Sequence, residues 1–242
     1  GEDERVLRAA NAMLEETTDL PILIGRPEVV EARCERFGLP IRPGRDFHLV
    51  NPENDPRYRD YWGTYHDLMA RRGVSPDIAR AVMRTNTTAI GAIMVHRDEA
   101  DSMICGTFGQ YHWHLNYIRQ VLARGGLHPV GALSLMILED GPLFIADTQV
   151  NPEPTPQHIM ETVIGAARHV RRFGLALADQ GAGLFGQVFA KVLVEAGQAL
   201  AGPARAAAQV AADQLGGDRA EPAREFVLPV QLQVLQHTGQ LQ

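Results

Sequence analysis

The run GPLFIADTQVNPEPTPQHI, Gly141 to Ile159, concentrates residues that could do chemistry. A short apolar segment, Leu143 to Ala146, stops abruptly at Asp147, and Thr148, Gln149 and Asn151 follow. A carboxylate, a hydroxyl and two carboxamides at the carboxyl end of a buried strand can hold a ligand by hydrogen bonds. That is the usual seating of a site in an open parallel sheet. Asp147 has a plainer use as well, since an aspartate there can cap its own following turn. Thr155 and Pro156 suit the N-cap and first position of a helix. A second pair with chemical reach is Arg71–Arg72, just ahead of Gly73. Cations in a last helical turn meet the negative end of the helix dipole.

Other candidates carry less. His112 and His114 form HxH, which on a strand would put both imidazoles on one face and could bind a metal. They fall at a helix start with no carboxylate or cysteine at ligand spacing, so the reading is polar residues of a helix surface or cleft, and no metal. His66, His158 and His169 fall on predicted helices. Gly181, Gly183 and Gly186 match GxGxxG, but Asp179 and Gln180 interrupt the strand that should precede them. No acidic residue closes a second strand about twenty positions on, so a connector of small residues is the better reading. Tyr58, Tyr61 and Tyr65 lie at helical spacing and read as packing. Asp55, Arg57 and Asp60 read as an exposed helix-start cluster.

The elements that must position these residues follow from periodicity. The pattern predicts helices over Asp3–Glu16, Pro27–Gly38, Arg57–Arg72, Pro76–Arg84, Thr88–Asp98, Tyr111–Arg124 and Met160–Phe173. It predicts strands at Pro21–Gly25, Phe47–Asn51 and Ala100–Gly106. Two more, PVGALSLMIL and GPLFIAD, read as antiparallel neighbours across the turn EDG. Strands separated by such helices imply an α/β layer fold. The 242 residues suffice for one large domain or two small ones. A net charge of −6 argues against nucleic acid or an anionic membrane surface as the main partner. The longest apolar runs are too short to span a bilayer. Two cysteines, Cys34 and Cys105, suit reduced thiols in a cytoplasmic protein. The start at Gly-Glu-Asp, without Met, reads as cut from a longer chain or processed.

Several of these pieces together resemble a known family. NPENDPRYRDYWGTYHDLMARRGVSPDIAR (Asn51 to Arg80), EADSMICG (Glu99 to Gly106), LFIADTQVNPEPT (Leu143 to Thr155) and ILIGRPEVVEAR (Ile22 to Arg33) are similar to the phosphotransacetylase-like C-terminal domain of large bacterial NADP-dependent malic enzymes. They stand in the family's order over residues 3–174. The resemblance implies an α/β/α phosphotransacetylase-like (isocitrate-dehydrogenase-like) fold of two subdomains, a coenzyme A site in the cleft, and assembly into a homo-oligomer. It implies an acetyl-CoA or phosphate cleft at Arg71, Arg72, Thr107, Asn116, Asp147 and Asn151. One of the two arginines would meet phosphate, because phosphotransacetylases carry a basic residue nearby.

Departures from the family's enzymes matter as much. Where they carry Thr-Leu-Arg-Pro, this chain reads HWHLNYIR (His112 to Arg119), with Asn116 after Leu115. A neutral carboxamide cannot give the bidentate charged clamp of an arginine. The family's further reactive groups lie on serine-bearing loops in its C-terminal third, and this chain has no serine after Ser134. Residues 175–242, rich in Ala, Gln and Gly, leave the family's pattern throughout, and within them Glu225–Leu235 carries a partly alternating strand signal. A parallel sheet that loses its last strands exposes an edge. The first expectation is therefore a regulatory, oligomerising acetyl-CoA-binding module. Its parent enzyme would oxidatively decarboxylate malate to pyruvate, with NADP and a divalent metal bound outside this chain. The second is a phosphate acetyltransferase moving acetyl between coenzyme A and phosphate. A fragment with no ligand is the third.

Overall fold

Helices begin where the sequence supplies an oxygen to their first free amides. In the computed structural model, which describes residues 1–123, 130–138, 141–147, 150–151, 153–172 and 230–233, α1 (Glu4–Glu16) starts at Asp3, whose carboxylate accepts from the Arg5 amide at 2.9 Å. Proline opens α2 (Pro27–Arg36) and α4 (Pro76–Thr85). Asn86 ends α4 and caps α5 (Thr87–His96), its Oδ1 accepting from the Ala89 amide at 2.9 Å. Glycine closes two elements in the left-handed region. Gly38 (φ +66) follows α2, and Gly73 (φ +87) follows α3 (Tyr58–Met69) and its 3-10 turn Ala70–Arg72.

The chain divides into two compact units, residues 1–123 and 124–242. In the first, β1 (Ile22–Ile24) pairs in parallel with β2 (His48–Val50), Leu23 opposite Leu49. The apolar helix α5 is buried on nearly every face, as a helix without a polar side must be. Around it pack Val50, Tyr61, Tyr65, Met69 and Met83. The tyrosine stripe is core, as its spacing implies: Tyr61 and Tyr65 are each 2% exposed. Full burial of such a side chain is worth about 1.5–3 kcal/mol. A second cluster joins Leu7, Val30, Cys34 and Phe47. The last helix of this unit is α6 (Tyr111–Leu122).

The strand expected over Ala100–Gly106 does not form. Residues 103–106 are non-helical and unpaired in any ladder, and Ile104 is 99% exposed. The ladder to β2 uses one edge of β1, with the Gly25 amide donating to Val50 O and the His48 amide to Pro21 O, which leaves the Ile24 peptide groups on the other edge. Gly1 lies there, so close that a Cβ on it would come within 2.8 Å of Ile24 O. Glu2 is fixed beside it by Arg26, whose guanidinium holds the carboxyl down at about 2. The edge that the segment would need is taken.

In the second unit β3 (Leu133–Leu138) runs antiparallel to β4 (Gly141–Ala146), as the sequence EDG between the two runs implies. The order is β4-β3-β5, with β5 (Val230–Gln233) parallel to β3 and inside the segment that carries the alternating signal. The pairing of β4 thus corrects the parallel-sheet setting read for Asp147. Leu133, Leu135, Phe144 and Ala146 pack with Ala166 and Val170 of α7 (Pro156–Arg172). Thr155 caps α7 as its type predicts, accepting from the His158 amide at 3.2 Å. Gly181, Gly183 and Gly186 lie outside the described residues.

Candidate functional site

The end of β4 is built around one strained aspartate. Asp147 has φ +55, in the left-handed region that a residue with a Cβ seldom occupies. Its amide donates to Ala132 O at 2.6 Å, carrying it just past the last ladder pair, Leu133–Ala146. Asn151 Nδ2 donates to Asp147 Oδ2 at 2.7 Å and to Val130 O at 3.1 Å. The loop is thereby drawn back onto the segment that enters β3. Asp147 Oδ1 is buried without a hydrogen-bond partner. An unpaired acceptor in such a place costs about 1–3 kcal/mol, and strain of this kind collects at ligand sites. Of the six residues named for the cleft, Asp147 and Asn151 are the two brought into direct contact.

The other four belong to the first unit. Arg71 and Arg72 lie on the exposed 3-10 turn after α3, and the Gly73 amide closes that turn onto Ala70 O at 3.0 Å. Thr107 is half-buried in the loop that replaces the expected strand, and its carbonyl accepts from Arg5 Nη2 at 2.6 Å. The loop bends at Gly106 (φ +103) and Gly109 (φ +95). Asn116 is exposed on α6.

His114 departs from its sequence reading. His112 is exposed, but His114 is 7% exposed and bonded through both nitrogens: Nδ1 to Thr88 Oγ1 and Nε2 to Phe108 O, each at 2.7 Å. It belongs to a buried clip between α5, α6 and the loop, which the helical period could have signalled, since Leu115 and Ile118 share its buried side. Among the described residues no three His, Cys, Asp or Glu groups converge on a possible metal position. A cavity of about 500 Å³ beside β2 is lined by His48, Leu49, Asn51, Asn54 and Asp55.

The chain matches the phosphate acetyl/butaryl transferase family over residues 1–178. It belongs to that family. An NAD-dependent malic enzyme of Rhizobium meliloti is 52% identical over 176 residues, which is 72% of this chain and 23% of that protein. An NADP-dependent malic enzyme of Salmonella typhimurium is 48% identical over the same extent. A phosphate acetyltransferase of Nitratidesulfovibrio vulgaris is 31% identical, again over 72% of this chain and 23% of that protein. The chain thus spans about a quarter of the length of these relatives. Among solved structures, a phosphotransacetylase from Streptococcus pyogenes superposes with a TM-score of 0.69 at 18% identity, covering 96% of this chain and 65% of that one. The phosphotransacetylase-like α/β fold is therefore this chain's fold.

Within this member of the family, one polar group that sequence reading passed over is Glu99. Its Oε2 accepts from Arg57 Nη1 at 3.0 Å and from the Tyr61 hydroxyl at 2.6 Å, and its Oε1 accepts from Arg97 Nε at 2.7 Å. Burial alone would push the Glu99 carboxyl up. The bonds from Arg97 and Tyr61 and the Arg57 charge outweigh it and hold the group below the ordinary glutamate value. Burial, reinforced by Glu99, pushes the Tyr61 hydroxyl up. Arg57 also grips Asp55, whose side chain is 8% exposed, so this pair is a part-buried tie, while Asp60 keeps its exposed place with a side chain 60% exposed. Glu99 follows α5 and Arg57 stands at the start of α3, 42 residues away, and no local spacing marks the two as partners.

Proposed function

We propose that this chain is an acetyl-CoA-binding, regulatory and oligomerising domain of a cytoplasmic malic enzyme. The observation that carries the reading is the identity of about one half to the matching quarter of two malic enzymes, against 31% to a phosphate acetyltransferase. The parent reaction would be oxidative decarboxylation of malate to pyruvate, and its nicotinamide cofactor and divalent metal would bind outside the matched quarter. In the first unit Arg71 and Arg72 would face the ligand's phosphates, with Thr107 and Asn116 toward its amides and hydroxyls; in the second, Asp147 and Asn151 are the candidates for ligand contact. Exposed guanidinium groups suit phosphate oxygens. The free acceptor at Asp147 Oδ1 suits a ligand N–H or O–H. A ligand regulates such an enzyme by binding one conformation more tightly than another, so the domain needs affinity and not turnover.

A second reading, transfer of acetyl between coenzyme A and phosphate, draws on the family match and the solved phosphotransacetylases. Against it stands Asn116, exposed and uncharged on α6. A thermal melt with and without millimolar acetyl-CoA tests the first reading. A ligand at a hundred times its Kd stabilises the folded form by about 2.7 kcal/mol, so the midpoint is expected to rise. An unmoved midpoint would remove acetyl-CoA binding. Phosphate-dependent formation of acetyl phosphate by the same chain would establish the transferase instead. Replacing Asn116 by Arg is expected not to create that activity.

A further inference from the structure

The cleft as proposed includes Thr107 on a loop with no ladder of its own, so something else must fix that loop. Its two central carbonyls are held from different directions. Thr107 O accepts from Arg5, near the start of α1, at 2.6 Å. Phe108 O lies 2.7 Å from Nε2 of His114. A carbonyl can only accept, so Nε2 carries a ring proton, and the single-proton tautomer this sets leaves Nδ1 to accept from the Thr88 hydroxyl at 2.7 Å. Thr88 stands in the first turn of α5 and is 2% exposed, beside the N-cap Asn86, also 2% exposed. The ring therefore joins the loop to a fully packed helix. Space confirms the fit, because a Cβ on Gly109 would lie 3.0 Å from Nε2. Trp113 stands edge-on to the ring, with centroids 5.0 Å apart.

We infer that His114 is a positioning residue of the proposed acetyl-CoA cleft, clipping the loop Gly106–Gln110 to α5 so that Thr107 meets the ligand in a fixed backbone geometry. This rests on the acetyl-CoA reading above. A loop already ordered in the free protein loses little further freedom on binding, which raises affinity without adding a contact. Releasing the clip should return that cost to the binding step.

The test uses the full chain with acetyl-CoA as the probe. Imidazole ¹⁵N spectra of the unaltered protein should show His114 as the Nε2-protonated tautomer; the Nδ1-protonated form would overturn the clip. Thr88→Val keeps the side chain's shape and removes the hydroxyl. It should weaken acetyl-CoA binding about tenfold, the effect of losing a buried hydroxyl that bonds His114 and also meets Cys105, and of a loosened loop, and speed amide exchange at residues 106–110. Thr88→Ser should restore both. A Thr88→Val protein with a lowered melting temperature but unaltered affinity and loop exchange would reduce His114 to a core residue and overturn the inference. If the unaltered chain binds no acetyl-CoA, the functional reading falls, while the tautomer and the loop exchange still decide whether the clip exists.

Discussion

Glu99 and Asp147 are both carboxylates withdrawn from water at the end of an element, and the protein treats them in opposite ways. Glu99 follows α5 and meets three donors, from Arg57, Tyr61 and Arg97. Asp147 follows β4, meets Asn151 through one oxygen, keeps the other buried and unpaired, and holds a left-handed backbone. A carboxylate with both oxygens already bonded by the protein has little left to offer a ligand, and its energy goes into joining α3 to the end of α5. A carboxylate left half-satisfied in a strained loop contributes less to the fold and keeps an acceptor in reserve. The first region should accordingly fail in stability when altered, and the second in binding.

Glu99→Ala should have the largest effect on stability. It leaves two guanidinium groups and the Tyr61 hydroxyl without their shared acceptor, a loss on the order of 2–3 kcal/mol, read as a lower denaturant midpoint at unchanged slope. Glu99→Gln keeps the shape and loses the charge, and should fall between. Acid repeats the experiment. The folded-state carboxyl sits below its unfolded value, so its contribution is complete above the unfolded value near 4.5 and drains away as pH falls through the lower folded value. The unaltered chain should lose stability over that window more steeply than Glu99→Gln. Equal acid profiles would mean that the network adds nothing and that the contrast with Asp147 is false.

How much of this could be read from the sequence depends on whether the cause is local. The cap at Thr155, the glycines Gly38 and Gly73 that close helices, and the buried side of α3 each need only neighbours in sequence. Those elements stand where the pattern puts them. The segment Ala100–Gly106 has the composition of a strand, but a strand exists only beside a partner, and at Ile24 the partner edge is occupied by Gly1. Composition cannot register that. Asp147 was marked by its type at the end of an apolar run, although its pairing with Asn151 and the antiparallel setting of β4 depend on the register with β3. The long-range bonds of Glu99 and His114 escape local pattern, although the helical period marks His114 as facing inward. Tyr61 is 38 residues from Glu99, and Thr88 is 26 residues from His114.

Asp147 allows a sharper separation of strain from chemistry. Asp147→Gly suits φ +55 without a Cβ, removes the orphan acceptor and loses one bond from Asn151. These changes oppose one another, so stability should stay within about 1 kcal/mol of the unaltered chain. Asn151→Ala has no such relief. It breaks the bonds to Asp147 and Val130 and should cost about 1–2 kcal/mol. Both should weaken acetyl-CoA binding in a titration. A glycine variant that binds as tightly as the unaltered chain would make the aspartate a turn residue and nothing more, which is the other use its type permits.

The smallest effect on the fold belongs to Arg71 and Arg72, and here two physical readings divide cleanly. If these cations serve the end of α3 through its dipole, replacing both by Ala should cost about 0.3–1 kcal/mol of stability, screened by salt, and leave affinity alone. If they face the ligand's phosphates, each exposed side chain should be nearly neutral to the fold, within about 0.5 kcal/mol. Acetyl-CoA binding should then weaken about three- to tenfold per arginine, with the difference shrinking as salt shortens the reach of exposed charges. Melting and titration at two salt concentrations separate the two. A double variant that melts early and binds normally assigns both residues to the helix. One that melts normally and binds poorly, with a flattened salt dependence, places the phosphates beside that turn.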